Sequence, residues 1–191
     1  MNTTDSPFRP MRRKRQQLDD AESEDILRRA TSGVLALLGD GDYTYAVPLS
    51  YVYLPGRLIF HSAVAGHKVD ALRRHPKASF CVIQQDEVSE AAFTTFYRSV
   101  IVFGTLRILD DEDEKLEALR ALARRYSPHE PAEHMDHEIA KGFPHVLMFE
   151  LQIEHMTGKE AKELVHARHS APPPSPTPVT TPPAPPAAPP S

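Results

Sequence analysis

Chemistry in this chain concentrates in Phe60-His61-Ser62-Ala63-Val64-Ala65-Gly66-His67-Lys68. A strand ends there in small and polar residues, a glycine follows, and a histidine and a lysine open a helix. A helix start carries amide donors without intrahelical acceptors and a positive partial charge. Ser62 adds a hydroxyl, Lys68 a mobile cation, and Gly66 lets the main chain approach a ligand closely. Together these groups describe an anion site of phosphate size. The competing reading is a plain strand-to-helix turn that leaves His67 and Lys68 in solvent.

Other constellations weigh less. His134 and His137 are one helical turn apart, close to His129, Glu133, Asp136 and Glu138, a spacing that a metal can use. A solvated helix face is the preferred reading, and no metal site is assigned. Cys81 lies in an apolar strand and reads as a small core residue rather than a nucleophile. Glu154-His155 beside Thr157-Gly158-Lys159 reads as a structural turn. No Gly-x-Gly-x-x-Gly is present, so a nicotinamide donor would have to dock transiently.

The elements that must position these residues are mostly strands. Asp19 or Asp20 caps a first helix through about Ala30, with Ile26 and Leu27 inward and Gly33 as its stop. Strands are expected over residues 34–38, 43–53, 57–63, 77–84, 99–109 and 146–153. Pro48 inside the second of these marks an edge, a bulge or a ligand-facing break. Pro55-Gly56 makes a hairpin turn, and residues 86–92 form a polar connection. Helices are expected over residues 67–75, stopped by Pro76, over residues 112–126 behind an acidic start, and over residues 132–141. Antiparallel strands with few crossovers predict a closed or half-closed barrel rather than a doubly wound sheet.

Composition sets the frame. The 191 residues suit one domain plus a tail, and a net charge of −4 does not favour nucleic acid or an anionic membrane. One cysteine excludes a disulfide framework and fits a reducing compartment. No apolar run approaches the roughly 18 residues of a membrane span, and no apolar segment follows Arg12-Arg13-Lys14-Arg15 as a secretory signal requires. A cytoplasmic location is expected. The division expected is a flexible basic arm (residues 1–17), a folded domain (18–164) and a disordered Pro-rich tail (165–191). The basic run reads as a solvated arm rather than a contact for an anionic partner.

Several ordered motifs carry a resemblance. They are Met11-Arg12-Arg13-Lys14, Val47-Pro48-Leu49-Ser50-Tyr51-Val52-Tyr53, and Phe60-His61-Ser62-Ala63 with Gly66-His67-Lys68. His75-Pro76-Lys77-Ala78-Ser79-Phe80-Cys81-Val82, Tyr97-Arg98-Ser99-Val100-Ile101-Val102-Phe103-Gly104 and Thr157-Gly158-Lys159-Glu160-Ala161 continue the series. Over residues 11–161 the chain resembles the nitroimidazole-resistance (Nim) branch of the pyridoxamine-phosphate-oxidase-like, FMN-binding split-barrel proteins.

The resemblance implies a mainly β, antiparallel split barrel with flanking helices. It further implies a homodimer that binds FMN at the subunit boundary, and reduction of a small organic acceptor such as a nitroaromatic. Carried over by position, Ser62, His67 and Lys68 hold the phosphate, and Val47, Pro48, Leu49 and Ser50 run along the isoalloxazine. Phe60 and His61 form the neighbouring strand, and His67 matches the histidine associated with the Nim active site. Tyr97, Arg98 and Ser99 either reach the partner's flavin or lie on the surface. A flavin- or haem-binding module without activity, with His67 or His61 as haem ligand, is the alternative. True pyridoxamine-phosphate oxidases carry an arginine on the strand that here reads Tyr45-Ala46-Val47, and an Arg-x-His element near the C-terminus. Neither stands here in that form, which argues against that substrate. Independently of the resemblance, Val100, Ile101, Val102 and Phe103 give the strand two apolar faces. One needs cover, either from a second copy or from the helix over residues 112–126.

Overall fold

Asp19 accepts a hydrogen bond from the Glu22 amide (2.8 Å), and the Glu22 carboxylate accepts from the Asp19 amide (3.1 Å). This reciprocal cap fixes the start of α1 (Asp20–Arg29), which buries Ile26 and Leu27. The computed structural model describes residues 6–170; residues 1–5 and 171–191, and with them most of the expected tail, lie outside the described residues. Around α1 come β1 (Gln17–Leu18), β2 (Ser32–Leu38), β3 (Thr44–Ser50), β4 (Val52–Leu54) and β5 (Arg57–Ala63). There follow α2 (His67–Arg74), β6 (Lys77–Ser89), β7 (Thr94–Ile108), α3 (Glu112–Tyr126), α4 (Ala132–Gly142), β8 (Val146–Glu160) and α5 (Lys162–Ser170). No helix among the described residues is long and apolar enough to cross a membrane.

The eight strands form one open antiparallel sheet in the order β3-β2-β6-β7-β8-β5-β4, with β1 added on β8. β8 is long enough to serve two neighbours on one side: its first half pairs with β5 and its end with β1. The sheet coils around a core in which Phe60, Phe80, Phe149 and Tyr51 are fully buried. The Phe60 ring stacks on Phe149 at 5.1 Å and meets Phe80 edge-on at 5.1 Å. A second cluster, Val52, Ile59, Leu109, Met148, Ala118 and Leu122, lies beneath α3. The expected mainly β split barrel with flanking helices is therefore the fold.

The structure departs from the sequence reading at several boundaries. Gly33 does not stop α1; the extended backbone of Ala30 does, and Gly33 lies inside β2. The strand expected over residues 43–53 breaks at Tyr51. There the Tyr126 hydroxyl, from the end of α3, accepts from the Tyr51 amide at 3.0 Å and lies 2.7 Å from its carbonyl. A side chain remote in sequence thus replaces a ladder partner. Pro48 is accommodated because β3 ends the strand order, so its missing donor interrupts no inner ladder.

The polar connection expected at residues 86–92 is largely strand, since β6 and β7 pair out to Ser89 and Thr94. Backbone pairing holds this arm, so its side chains need not be apolar; Val88 and Phe93 are exposed. Glu154 lies not in a turn but in β8, as the extra residue of a bulge opposite Phe103 and Gly104. Both ends of the expected domain also shift. α5 takes in residues 165–170 of the range assigned to the tail, and Arg168 pairs there with Glu160 and Glu22. In the expected arm, Gln16 is buried and the Phe8 ring stacks on His155 at 4.6 Å.

Candidate functional site

Gly66 sets the entry to α2. Its φ of 126° is one that L side chains rarely adopt, and a Cβ there would meet nothing within 4 Å, so conformation rather than space demands glycine. No side chain caps the helix start, and the amides of Val69 and Asp70 are the first to turn back on Gly66, at 2.8 and 3.1 Å. Lys68 is half-buried and makes no ion pair among the described residues; burial lowers the pKa of its ammonium. An unpaired, partly desolvated cation beside open amides suits an anion. Ser62 closes β5 just before this turn, buried, with its hydroxyl donating to the Ala63 carbonyl at 2.7 Å.

His67 is held from two sides. Its ring stacks on Tyr45 of β3 (centroids 4.1 Å apart, planes 26° apart), and its Nε2 lies 3.4 Å from Asp40 Oδ2. Asp40 stands in the β2–β3 turn, where Gly41 and Asp42 both have positive φ. Arg74, from the end of α2, pairs with Asp40 at 2.6 Å and holds its carboxyl below the ordinary carboxylate range, first through the hydrogen bond and then through charge. Sequence reasoning missed Asp40, Tyr45 and Arg74. The available signal was Tyr45 standing on a strand where related oxidases carry arginine.

The Tyr45–His67 stack joins the start of α2 to β3, which carries the remaining expected residues. Val47 and Leu49 are half-buried against the core, whereas Pro48 and Ser50 are exposed on the opposite face. On β5, His61 is exposed but the Phe60 side chain belongs wholly to the core, so only its main chain can line a site. On β7, Tyr97, Ser99 and Ile101 alternate with residues that turn inward. Arg98 is one of the latter and pairs with the fully buried Glu160 at 3.0 Å. Lys159 Nζ stands 5.3 Å from the Tyr97 ring centroid.

Two strands, β2 and β6, separate β3 from β7, about 14 Å at the usual strand spacing. Between them the outer face of the sheet is apolar. Pro48, Val34, Cys81 and Ile101 align in register across four strands, and Val34 and Ile101 are each 38% exposed. Cys81 is half-buried, and burial raises its thiol pKa, which keeps it protonated. His134 Nδ1 lies 2.7 Å from Glu130, and no group of three or more metal-ligating side chains gathers among the described residues.

Comparisons place this geometry among known folds. A sequence profile described as pyridoxamine 5'-phosphate oxidase matches residues 19–160. No curated protein matches the chain. Among solved structures, a candidate 5-nitroimidazole antibiotic resistance protein from Bacteroides thetaiotaomicron superposes with a TM-score of 0.64 at 20% identity, covering 75% of this chain and 86% of that one. A FAD-binding protein from Mesorhizobium loti gives 0.56 at 28% identity, over 76% and 97% of the two chains. A FAD and heme binding protein from Mycobacterium smegmatis gives 0.62 at 21% identity, over 90% and 94%. Given a profile that spans most of the described residues and an open antiparallel sheet of the matching fold, the chain belongs to the pyridoxamine 5'-phosphate oxidase family.

Proposed function

We propose that this chain is an FMN-binding oxidoreductase that acts on a small organic acceptor, with nitroaromatics as the substrate class. The observation that carries this reading is the uncapped start of α2, where Gly66 leaves the first amides open beside Lys68, which makes no ion pair among the described residues. Lys68 and Arg74 bring two cations to this helix against the carboxylates of Asp40 and Asp70, so the open amides of the helix start, rather than a surplus of fixed charge, are what would draw a phosphate. Ser62, His67 and Lys68 would hold that phosphate. Pro48, Ser50, His61 and the main chain of Val47, Leu49 and Phe60 would flank the ring. A bound flavin supplies the electron chemistry. The protein fixes its place, and His67, locked by Tyr45 and Asp40, meets it in one orientation. Solved structures described as FAD-binding share the fold; FMN is the flavin proposed here, because a single helix start with one lysine matches one terminal phosphate.

FMN is expected to quench on titration with clearly higher affinity than riboflavin, and equal affinities would remove the phosphate assignment. The visible spectrum separates the haem alternative, since flavin gives a double band and haem a sharp Soret band. Lys68→Ala is expected to weaken FMN binding by about 1.5–3 kcal/mol, the scale of a hydrogen bond to a charged group, without changing the melting temperature. A variant that binds FMN like the parent would place Lys68 outside the site.

The shared-site homodimer rests on the outer face of the sheet. α3 covers β4, β5 and β8 rather than Ile101, so the alternative cover for this strand, the helix of the same chain, leaves that patch open. Tyr97 and Ser99 stand on the same face, with two strands between them and Pro48 and Ser50. A twofold copy packed on Val34, Ile83 and Ile101 would bring its own Tyr97 and Ser99 towards the β3 residues of the first. Light scattering at micromolar concentration is expected to give twice the 21.3 kDa chain mass. A monomer with FMN still bound would refute the shared site.

A further inference from the structure

The basic run Arg12-Arg13-Lys14-Arg15 is not a free arm. A 3-10 turn (Lys14–Gln16), closed by the Gln16 amide on the Arg13 carbonyl at 3.0 Å, ties it to β1, which pairs with Gly158 and Lys159 of β8. The turn sets the four cations along an open groove of about 750 Å³, which Thr94 of β7 and Lys162 of α5 also line. Among the described residues, the only ion pair made by these five cations is Lys162 Nζ to Glu163 at 3.7 Å. Like charges held together by a folded turn, and left largely unpaired, create a local positive field that recruits anions.

A second observation is independent of that charge. Gln16 lines the same groove, is only 6% exposed, and its Oε1 is buried without a hydrogen-bond partner. Buried side-chain polar atoms almost always have partners, so an orphan at a groove wall points to a missing ligand. A half-turn about the last side-chain bond exchanges Oε1 for Nε2, so this carboxamide can donate to an acceptor-rich ligand. Arginine forks take phosphate oxygens in pairs, and three arginines along one groove offer more donors than a single phosphate uses. We infer that this groove is a second anion site, separate from α2, that binds an oligophosphate, either free or carried on a nucleotide.

Calorimetry on the full chain with ADP and with inorganic pyrophosphate tests this inference. The expected result is saturable binding of one ligand per chain that weakens with salt. Tighter binding of ADP than of pyrophosphate supports a nucleotide ligand, and equal binding supports a free oligophosphate. Arg12→Ala/Arg13→Ala/Arg15→Ala is expected to lower affinity about tenfold or more. Gln16→Leu is expected to weaken binding while leaving the melting temperature unchanged or raised, because it removes an unpaired buried polar atom; a purely structural glutamine would lower it. Lys68→Ala is expected to bind ADP as the parent does, which separates this groove from the proposed flavin site. Unsaturable binding, full affinity in the triple variant, or tighter binding of a short DNA duplex than of ADP would overturn the assignment.

Discussion

Glu150→Ala is expected to destabilise the protein by about 3 kcal/mol or more, the scale for breaking a buried ion pair by removing one partner. Glu150 is 1% exposed and lies on the outer side of β8 beneath α3. Its Oε2 accepts from Arg57 at 3.0 Å, and its Oε1 accepts from Arg107 at 2.8 Å and from Gln152 at 3.0 Å. Arg107 also binds Glu114 of α3, so one buried carboxylate anchors two guanidiniums and, through one of them, a helix. Removing it leaves both cations facing each other with only Glu114 between them. The arginines are 40% and 42% exposed, so water recovers part of the loss. Glu150→Gln keeps the shape without the charge and is expected to lose less.

Urea unfolding followed by circular dichroism measures the difference, and a loss under about 1 kcal/mol, the level of a surface pair, would show that the network is solvent-relaxed. The same network has a pH signature. The Arg107 hydrogen bond to Glu114 holds that carboxyl below its ordinary range. A depressed carboxylate stabilises the fold above its unfolded pKa, and the contribution fades as pH falls through the lowered value. The parent is therefore expected to lose stability on acidification more steeply than Glu114→Gln.

Gly104→Ala is expected to cost about 3 kcal/mol, at the upper end of overpacking effects. A Cβ at this position would lie 1.9 Å from the Gln152 carbonyl oxygen and 3.3 Å from the Leu151 side chain. The first obstacle is backbone, and Gln152 is paired on both sides, with Thr105 of β7 and Arg57 of β5, so it cannot retreat without disrupting two ladders. The bulge at Glu154 lies beside this contact, and Glu154 binds Lys77 at 2.6 Å. Gly142→Ala is the control, since a Cβ there meets nothing within 4 Å and the site is the end of α4. It is expected to change stability by no more than about 0.5 kcal/mol. Equal denaturation midpoints for the two variants would show that the β7–β8 ladder yields where the geometry says it cannot.

The sequence by itself determined the local elements and their kind. An aspartate cap at residue 19 or 20, the 57–63 strand, the glycine before α2 and the acidic start of α3 were each legible, because capping, turn chemistry and hydrophobic period act over a few residues. Ordered motifs carried the family, and the open antiparallel sheet agrees with it. Long-range pairing was not legible. Tyr126 ends β3 at Tyr51 across 75 residues, and backbone ladders extend β6, β7 and β8 through polar stretches that a hydropathy pattern reads as loops. In the candidate site, His67 and Lys68 were readable because they are adjacent, but Asp40 and Tyr45 meet His67, and Arg74 meets Asp40, only once the β2–β3 turn folds over α2. Which face of β5 is core was not legible, because the alternation of a strand names its two faces without naming which one is core. Tertiary packing makes that choice, and it places Phe60 inside against Phe80 and Phe149 and leaves His61 outside.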